Sequence, residues 1–293
     1  MSIAKMIIPG ADFSALNVAP ATLMLNLATV GPLLARFSAK ELSTLTLDGT
    51  AVTSWSDTVG GVTVDDQGLV SARPTFEAEG WTANVNGAQV AMPCLDFDGA
   101  IGGNTLLGTG LDTGPNCTMF MVVERAATQN DGTETPTRVL MRANSNAANI
   151  YRQIRISSAA SDAEQEQVSL VGNSWSDQPL RYDFTPGAAI LSAESLPNSA
   201  ALGVNGSDMT QVAIDAPAGS VPAGDELMIG GLDGEAGLSG DAKFAGKIAE
   251  VLIFSDALSQ ADRQAVEGHL AWEWGLVANL PDTHPYRNTP PGS

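Results

Sequence analysis

Short apolar runs separated by turn residues recur along most of the chain. Thr44-Leu45-Thr46-Leu47 precedes Asp48-Gly49, and Ala51-Val52-Thr53-Ser54-Trp55 precedes Ser56-Asp57. Asp-Gly tolerates the positive φ of a tight turn, so this pattern predicts a hairpin across Asp48-Gly49. Val62-Thr63-Val64 predicts another strand. In Cys94-Leu95-Asp96-Phe97-Asp98-Gly99, apolar and acidic residues alternate. A period of two puts Leu95 and Phe97 on one strand face and the two aspartates on the other. Thr118-Met119-Phe120-Met121-Val122-Val123 does not alternate, which predicts a central strand covered on both faces. Strands follow at residues 138–142, 150–156 and 167–171, and in the second of these Ile150, Ile154 and Ile156 face one way with Arg155 opposite. Ala201-Leu202-Gly203-Val204 runs into an Asn205-Gly206 turn, and Glu226-Leu227-Met228-Ile229 runs into Gly230-Gly231. Phe244 to Phe254 is the last strong strand.

One segment changes period. Ser259 is placed to cap a helix, with Asp262 three residues on, and Val266, Leu270 and Trp274 follow at spacing four. Gly275 is the expected C-terminal stop. Residues 281–293, with Pro281, Pro285, Pro290 and Pro291, read as an irregular tail. Residues 1–35 carry little charge and include Pro9, Pro20 and Pro32, so they read as an N-terminal arm or docking segment, or else as a loose leader into the first strand. Residues 36–280 form the β-sandwich in this division.

Composition agrees with the pattern. Of 293 residues, 30 are Gly and 16 Pro, which favours short strands and frequent turns, and a single all-β unit accommodates that length. With 33 acidic against 14 basic residues the formal charge is −19, a field that repels phosphate backbones, so nucleic acid is not an expected partner. Cys94 and Cys117 make no disulfide framework and no zinc spacing, and they read as buried thiols that could pair only if the fold brings them together. Met6-Ile7-Ile8 is too short for the apolar region of a signal peptide, and residues 21–35 are too interrupted for a membrane span.

The run Phe244-Ala245-Gly246-Lys247-Ile248-Ala249-Glu250-Val251-Leu252-Ile253-Phe254, then Ala257-Leu258-Ser259 and a helix ending Trp272-Glu273-Trp274-Gly275-Leu276, resembles the closing segment of laminin-G-like, concanavalin A-like domains. Leu95 to Gly99, Met119 to Val123, Val204 to Gly206 and Leu227 to Gly231 fall in the order that family would show, so the resemblance spans about Phe37 to Leu276. It implies an all-β, two-sheet antiparallel jelly-roll sandwich with one C-terminal α-helix and recognition loops at its rim. Ile7-Ile8-Pro9-Gly10-Ala11-Asp12-Phe13-Ser14 is similar to the leader of tailed-phage virion proteins that carry such a domain. That second resemblance implies a head decoration, spike or tail appendage, made in the cytoplasm without a signal peptide and found outside the cell on the virion. Its partners would be capsid or tail proteins, a host surface glycan and further copies of itself in a homo-oligomer.

Candidate chemistry is sparse, and no catalytic residue is assigned. Glycoside hydrolysis needs two carboxylates, and Glu164 with Glu166, extended by Asp162, is the tightest acidic grouping. Its neighbours lack the bulky residues of a substrate cleft, so a solvated loop is expected. His269 is assigned to packing or to the helix dipole and His284 to solvent, with no nucleophile motif beside either. Oxygen-rich turns at Asp233-Gly234-Glu235 and Asp241 suit calcium, but no EF-hand spacing is present and a flexible acidic turn is the expectation. No other cofactor or metal is expected. Trp81, Trp175 and Tyr182 lie among polar residues where a ring could stack on a sugar. Trp175, Asp177, Arg181 and Tyr182 mix rings, a carboxylate and a guanidinium and are the candidate ligand residues, the alternative being that Trp175 is core. The expected function is therefore a non-enzymatic adhesive virion surface protein. A bacterial carbohydrate-binding module is the alternative, and a glycoside hydrolase the third reading.

Overall fold

The Asp-Gly hairpin is the first link in a long antiparallel succession. In the computed structural model, β1 (Leu33–Ser38) is followed by β2 (Leu45–Asp48) and β3 (Ala51–Ser56), which pair across a turn holding Gly49 at φ +66°. Then come β4 (Thr63–Asp65), β5 (Thr75–Val85), β6 (Ala88–Asp98), β7 (Leu106–Gly108), β8 (Cys117–Arg125) and β9 (Thr137–Ser145). These are followed by β10 (Gln153–Ala159), β11 (Asp162–Val171), β12 (Leu180–Asp183), β13 (Gly187–Ser195), β14 (Ser199–Val204), β15 (Val212–Ala213), β16 (Glu226–Ile229) and β17 (Ala245–Phe254). The single α-helix among the described residues, α1 (Gln260–Glu273), follows at once. The structure describes residues 25–292 except 69, 71–72, 86–87, 99–104, 114–115, 126–136, 146–152, 160–161, 172–179, 184–186, 197–198, 210, 214–225 and 232–243. From β9 to β12 the description is of the backbone, Ile154 aside.

Hydrogen bonds join the seventeen strands among the described residues into one antiparallel network that doubles over into a two-layer sandwich. One layer runs β5–β6–β17–β8–β13–β14–β15, and the other runs β2–β3–β4–β7–β16–β9–β10–β11–β12. The layers meet at one edge through the pair Ala51↔Thr75. A bulge between Ile248 and Glu250 divides β17, so that its first half pairs with β6 and its second half with β1, while β8 runs along the other side. Two short strands thus share one long neighbour, which lets the layer curve.

The core lies between the layers, where Phe37 of β1 meets Trp55 of β3 edge-on at 5.4 Å and Phe97 packs on Phe244 at 6.2 Å. Leu95 and Phe97 are fully buried while Asp96 and Asp98 take the opposite face, as alternation predicts. β8 has no exposed side chain from Cys117 to Val123. One of its faces meets the opposite layer and the other lies under α1, which is why it reads as an unbroken apolar run. Both cysteines are buried, and burial pushes the Cys94 thiol well up from its ordinary range.

α1 is built as its spacing predicts. Ser259 Oγ accepts from Asp262 N at 3.2 Å and donates to Asp262 Oδ2 at 2.7 Å, satisfying one of the free N–H groups of the first turn. Val266, Leu270 and Trp274 are fully buried against the outer face of the first layer. Gly275 ends the helix at φ +69°, where an added Cβ would lie 2.5 Å from Ala83 Cβ. A charged cluster fixes the helix C-terminus: Arg36 Nε donates to Glu250 Oε1 at 2.7 Å, Trp274 Nε1 donates to Glu250 Oε2, and Arg36 and Lys40 both reach Glu273. His269 is buried, with its Nε2 3.0 Å from Glu273 Oε2. No helix among the described residues is long and apolar enough to cross a membrane.

Three expectations change. Trp81 is 6 % exposed and packs on Trp274 at 5.7 Å, so it is a core ring unavailable for stacking on a ligand. His284 is buried, because the irregular tail folds back over α1: Trp272 Nε1 donates to Tyr286 O at 2.9 Å, and Gly268 leaves room for the Tyr286 ring. The segment with Asp162, Glu164 and Glu166 is no loop; it belongs to β11, with Glu166 in register with Ser158 of β10. At the N-terminal side, Leu27 is buried and Leu33 to Ser38 pair along β17, while residues 1–24 lie outside the described residues.

Candidate functional site

A polar cleft opens on the outer face of the first layer, beside the first turn of α1. It has a volume of about 430 Å³, which suits a small ligand. Its floor comes from β13 and β14, where Glu194 and Ala201 are register partners. One wall is the entry and first turn of α1, with Leu258, Gln260 and Arg263, and the other is made by Asp208, Met209 and Gln211.

Local sequence explains each wall. Asn205 and Gly206, at φ +53° and +73°, turn the chain sharply out of β14, and Ser207 closes the turn by donating its backbone N–H to Val204 O at 3.1 Å. The turn then lies back over Gly203, where a Cβ would come within 2.9 Å of Met209 Cγ, so the missing side chain makes room for this wall. On the opposite side Thr118 Oγ1 donates to Asp256 O at 2.8 Å and accepts from Leu258 N at 3.0 Å, pinning the entry to α1.

The lining combines two carboxylates, two amides and a guanidinium. Glu194 is 9 % exposed and its Oε1 accepts from Gln211 Nε2 at 2.7 Å. The Arg263 side chain is 8 % exposed, and its Nε, 3.8 Å from Glu267 Oε1, has no hydrogen-bond partner among the described residues. Behind it, Glu267 is wholly buried, accepts from Ser192 Oγ at 2.6 Å and lies 3.5 Å from His284 Nε2. Asp208 and Gln260 are exposed at the rim, and Met209, Leu258 and Ala201 supply apolar surface. Such a lining binds by hydrogen bonds and packing, the usual design of a small-ligand pocket.

A second polar grouping lies on the same layer around Lys247. Its Nζ is 3.2 Å from Glu77 Oε2 and 3.6 Å from Glu124 Oε2, and it also donates to the Gly80 carbonyl. Asp96 and Glu124 are the register partners of Lys247 on the two sides. Burial pushes the Asp96 carboxyl up, and Glu77 adds to the shift. Burial opposes the Lys247 charge, but Glu77 outweighs it and holds the ammonium above its ordinary range. Among the described residues no group of His, Cys, Asp or Glu is arranged to hold a metal ion.

Of the expected ligand residues, Trp175 and Asp177 lie outside the described residues. The backbone puts Arg181 and Tyr182 in β12, opposite Ser169 and Val168 of β11. Asp233, Gly234, Glu235 and Asp241, the turns suited to calcium, also lie outside the described residues. The cleft residues Glu194, Asp208, Gln211 and Arg263 were not among those expectations. One signal for them exists: Glu194 is the lone acid in Ala188-Ala189-Ile190-Leu191-Ser192-Ala193-Glu194, and a charge inside a buried strand needs a partner.

No family model and no curated protein matches the chain. Several solved structures are similar in fold. A Trypanosoma rangeli sialidase in complex with 2,3-difluorosialic acid matches with a TM-score of 0.50 and 10% identity over 84% of this chain and 35% of its own. A GH54 α-L-arabinofuranosidase soaked with a cyclic sulfate inhibitor matches with a TM-score of 0.52 and 11% identity, over 89% and 64%. An arabinofuranosidase complexed with arabinofuranosyl-α-1,2-xylobiose matches with a TM-score of 0.51 and 11% identity, over 86% and 61%. The chain thus spans from about a third to just under two thirds of their lengths. These likenesses correct the expectation of a non-enzymatic chain, because proteins named as glycosidases share this architecture. A missing sequence motif is weak evidence on a sandwich, where separate strands bring carboxylates together, as β5, β6 and β8 do around Lys247. What the similar structures establish is the fold: an antiparallel, jelly-roll-like β-sandwich, consistent with a concanavalin A-like domain.

Proposed function

We propose that the chain is a glycan-binding β-sandwich displayed on the surface of a tailed-phage or phage-like particle. The observation that carries the glycan reading is the cleft beside α1. Its carboxylates, amides and guanidinium are matched to ligand hydroxyls, and its Met209 and Leu258 to the apolar face of a sugar ring. The particle reading is supported by the resemblance of Ile7 to Ser14 to virion leaders. Capsid or tail proteins and further copies of the chain are its partners in this reading, which assigns no cofactor and keeps calcium at Asp233, Glu235 and Asp241 as the alternative. Binding of the whole chain to a glycan array, lost on Arg263→Met, tests the first half. Mass spectrometry of purified particles tests the second, since absence of the protein from them leaves a free carbohydrate-binding module in its place.

A glycosidase is the second reading, and one observation favours it. Asp162, Glu164 and Glu166 occupy alternate positions of a strand, β11, in a fold shared with proteins named as glycosidases. A polysaccharide panel decides it. Turnover abolished by Glu164→Gln or Glu166→Gln supports it, and no turnover on the panel removes it.

A further inference from the structure

The cleft beside α1 has an electrostatic bias that a hydrogen-bonding lining alone does not require. Glu194 and Asp208 stand against a single guanidinium, Arg263. That guanidinium already has the buried Glu267 carboxylate 3.8 Å behind it. The lining is therefore negative on balance, in a chain whose formal charge is −19. An anionic ligand would enter against this field, and partial burial of Glu194 reduces the screening by solvent.

The lining also has capacity to spare in both directions. Glu194 Oε1 accepts from Gln211, which leaves Oε2 as an acceptor for a ligand donor. The Arg263 side chain is nine-tenths buried, and its Nε is enclosed without a hydrogen-bond partner among the described residues, so a ligand in the cleft can be met only by the terminal nitrogens of the guanidinium. A hydroxyl both donates and accepts, and neighbouring hydroxyls on a ring can answer a carboxylate and a guanidinium together without carrying charge.

From this balance we infer that the cleft takes a neutral saccharide and turns acidic saccharides away, with Glu194 and Arg263 reading adjacent hydroxyls. The inference rests on the glycan-binding reading and narrows it to a ligand class and a position. Loss of a charge-assisted hydrogen bond weakens binding by about tenfold or more.

The test is titration calorimetry of the whole chain against two probe sets: neutral oligosaccharides ending in glucose, galactose, mannose or arabinose, and acidic ones ending in sialic acid or a uronic acid. The expected result is saturable binding of a neutral probe, weakened at least tenfold by Glu194→Gln and by Arg263→Met, with no acidic probe bound. Thermal melts of both variants control for folding. Asp208 is exposed, so Asp208→Lys serves where the buried variants fail to fold, and it should raise affinity for acidic probes. Acidic probes bound as well as neutral ones, with the same sensitivity to Arg263→Met, overturn the charge selection and leave the glycan reading standing. Neutral binding that ignores all three variants overturns the position. Binding of no saccharide removes this inference and the glycan reading together.

Discussion

Trp274→Phe probes what holds α1 on the sandwich. The Trp274 indole is wholly buried, rests on Trp81 at 5.7 Å, has Lys40 Nζ 4.1 Å from its ring centroid, and donates Nε1–H to Glu250 Oε2. Glu250 is 1 % exposed, and its other oxygen is taken by Arg36 at 2.7 Å. Phenylalanine keeps one ring in place and removes the donor, so a buried carboxylate oxygen loses its partner. Leaving such a group unsatisfied costs about 1–3 kcal/mol, and the void left by the smaller ring adds about 1 kcal/mol. The expected loss is then about 2–4 kcal/mol, a fall in Tm of roughly 3–7 °C by the usual scaling for a chain of this size. Urea denaturation followed by tryptophan fluorescence and far-UV circular dichroism measures it, and the same substitution in a Glu250→Met background isolates the hydrogen bond. In that background the loss should shrink to about the void contribution alone. A loss below about 1 kcal/mol in the parent chain, or an equal loss in both backgrounds, would refute the reasoning.

The other predictions concern the same helix and the tail. Ser259→Ala removes the N-cap acceptor of Asp262 N and should destabilise by about 1 kcal/mol, read as a small fall in Tm. Burial works to raise the Glu273 carboxyl, but His269, Lys40 and Arg36 outweigh it and hold it down at about 2. A depressed carboxylate contributes stability that is fully present above its ordinary value of 4.5 and is lost as pH falls toward 2. Glu273→Gln should therefore melt lower than the parent at neutral pH, and the two melting curves should converge between pH 4.5 and 2. Gly206→Ala forces an alanine to φ +73° and sets its Cβ 2.7 Å from His284 Cδ2. It should destabilise by at least about 1–2 kcal/mol and loosen the tail, exposing the bond after Arg287 to trypsin.

Local pattern carried most of the fold because strands and helix caps are short-range objects. The Asp48-Gly49 turn, the alternation of Leu95 to Asp98, the unbroken run of β8 and the Ser259 cap each need only a few neighbouring residues, and each forms. Trp81 and His284 escape local pattern for the same reason. Polar neighbours in sequence suggested exposure, yet Trp274 and the returning tail cover the two side chains from far along the chain. Glu164 and Glu166, without bulky neighbours, read as a solvated loop, and the pairing of their segment with β10 supplies the order that propensity does not.

The cleft was the least legible part. Glu194, Asp208, Gln211 and Arg263 come from β13, the turn after β14 and the first turns of α1, and no spacing relates them. Period and turn chemistry are written residue by residue, so strands, hairpins and a capped amphipathic helix could be read directly from the chain. Which carboxylate faces which guanidinium depends on how two layers and a helix close over one another, a many-body packing outcome that exists only once the distant pieces have met.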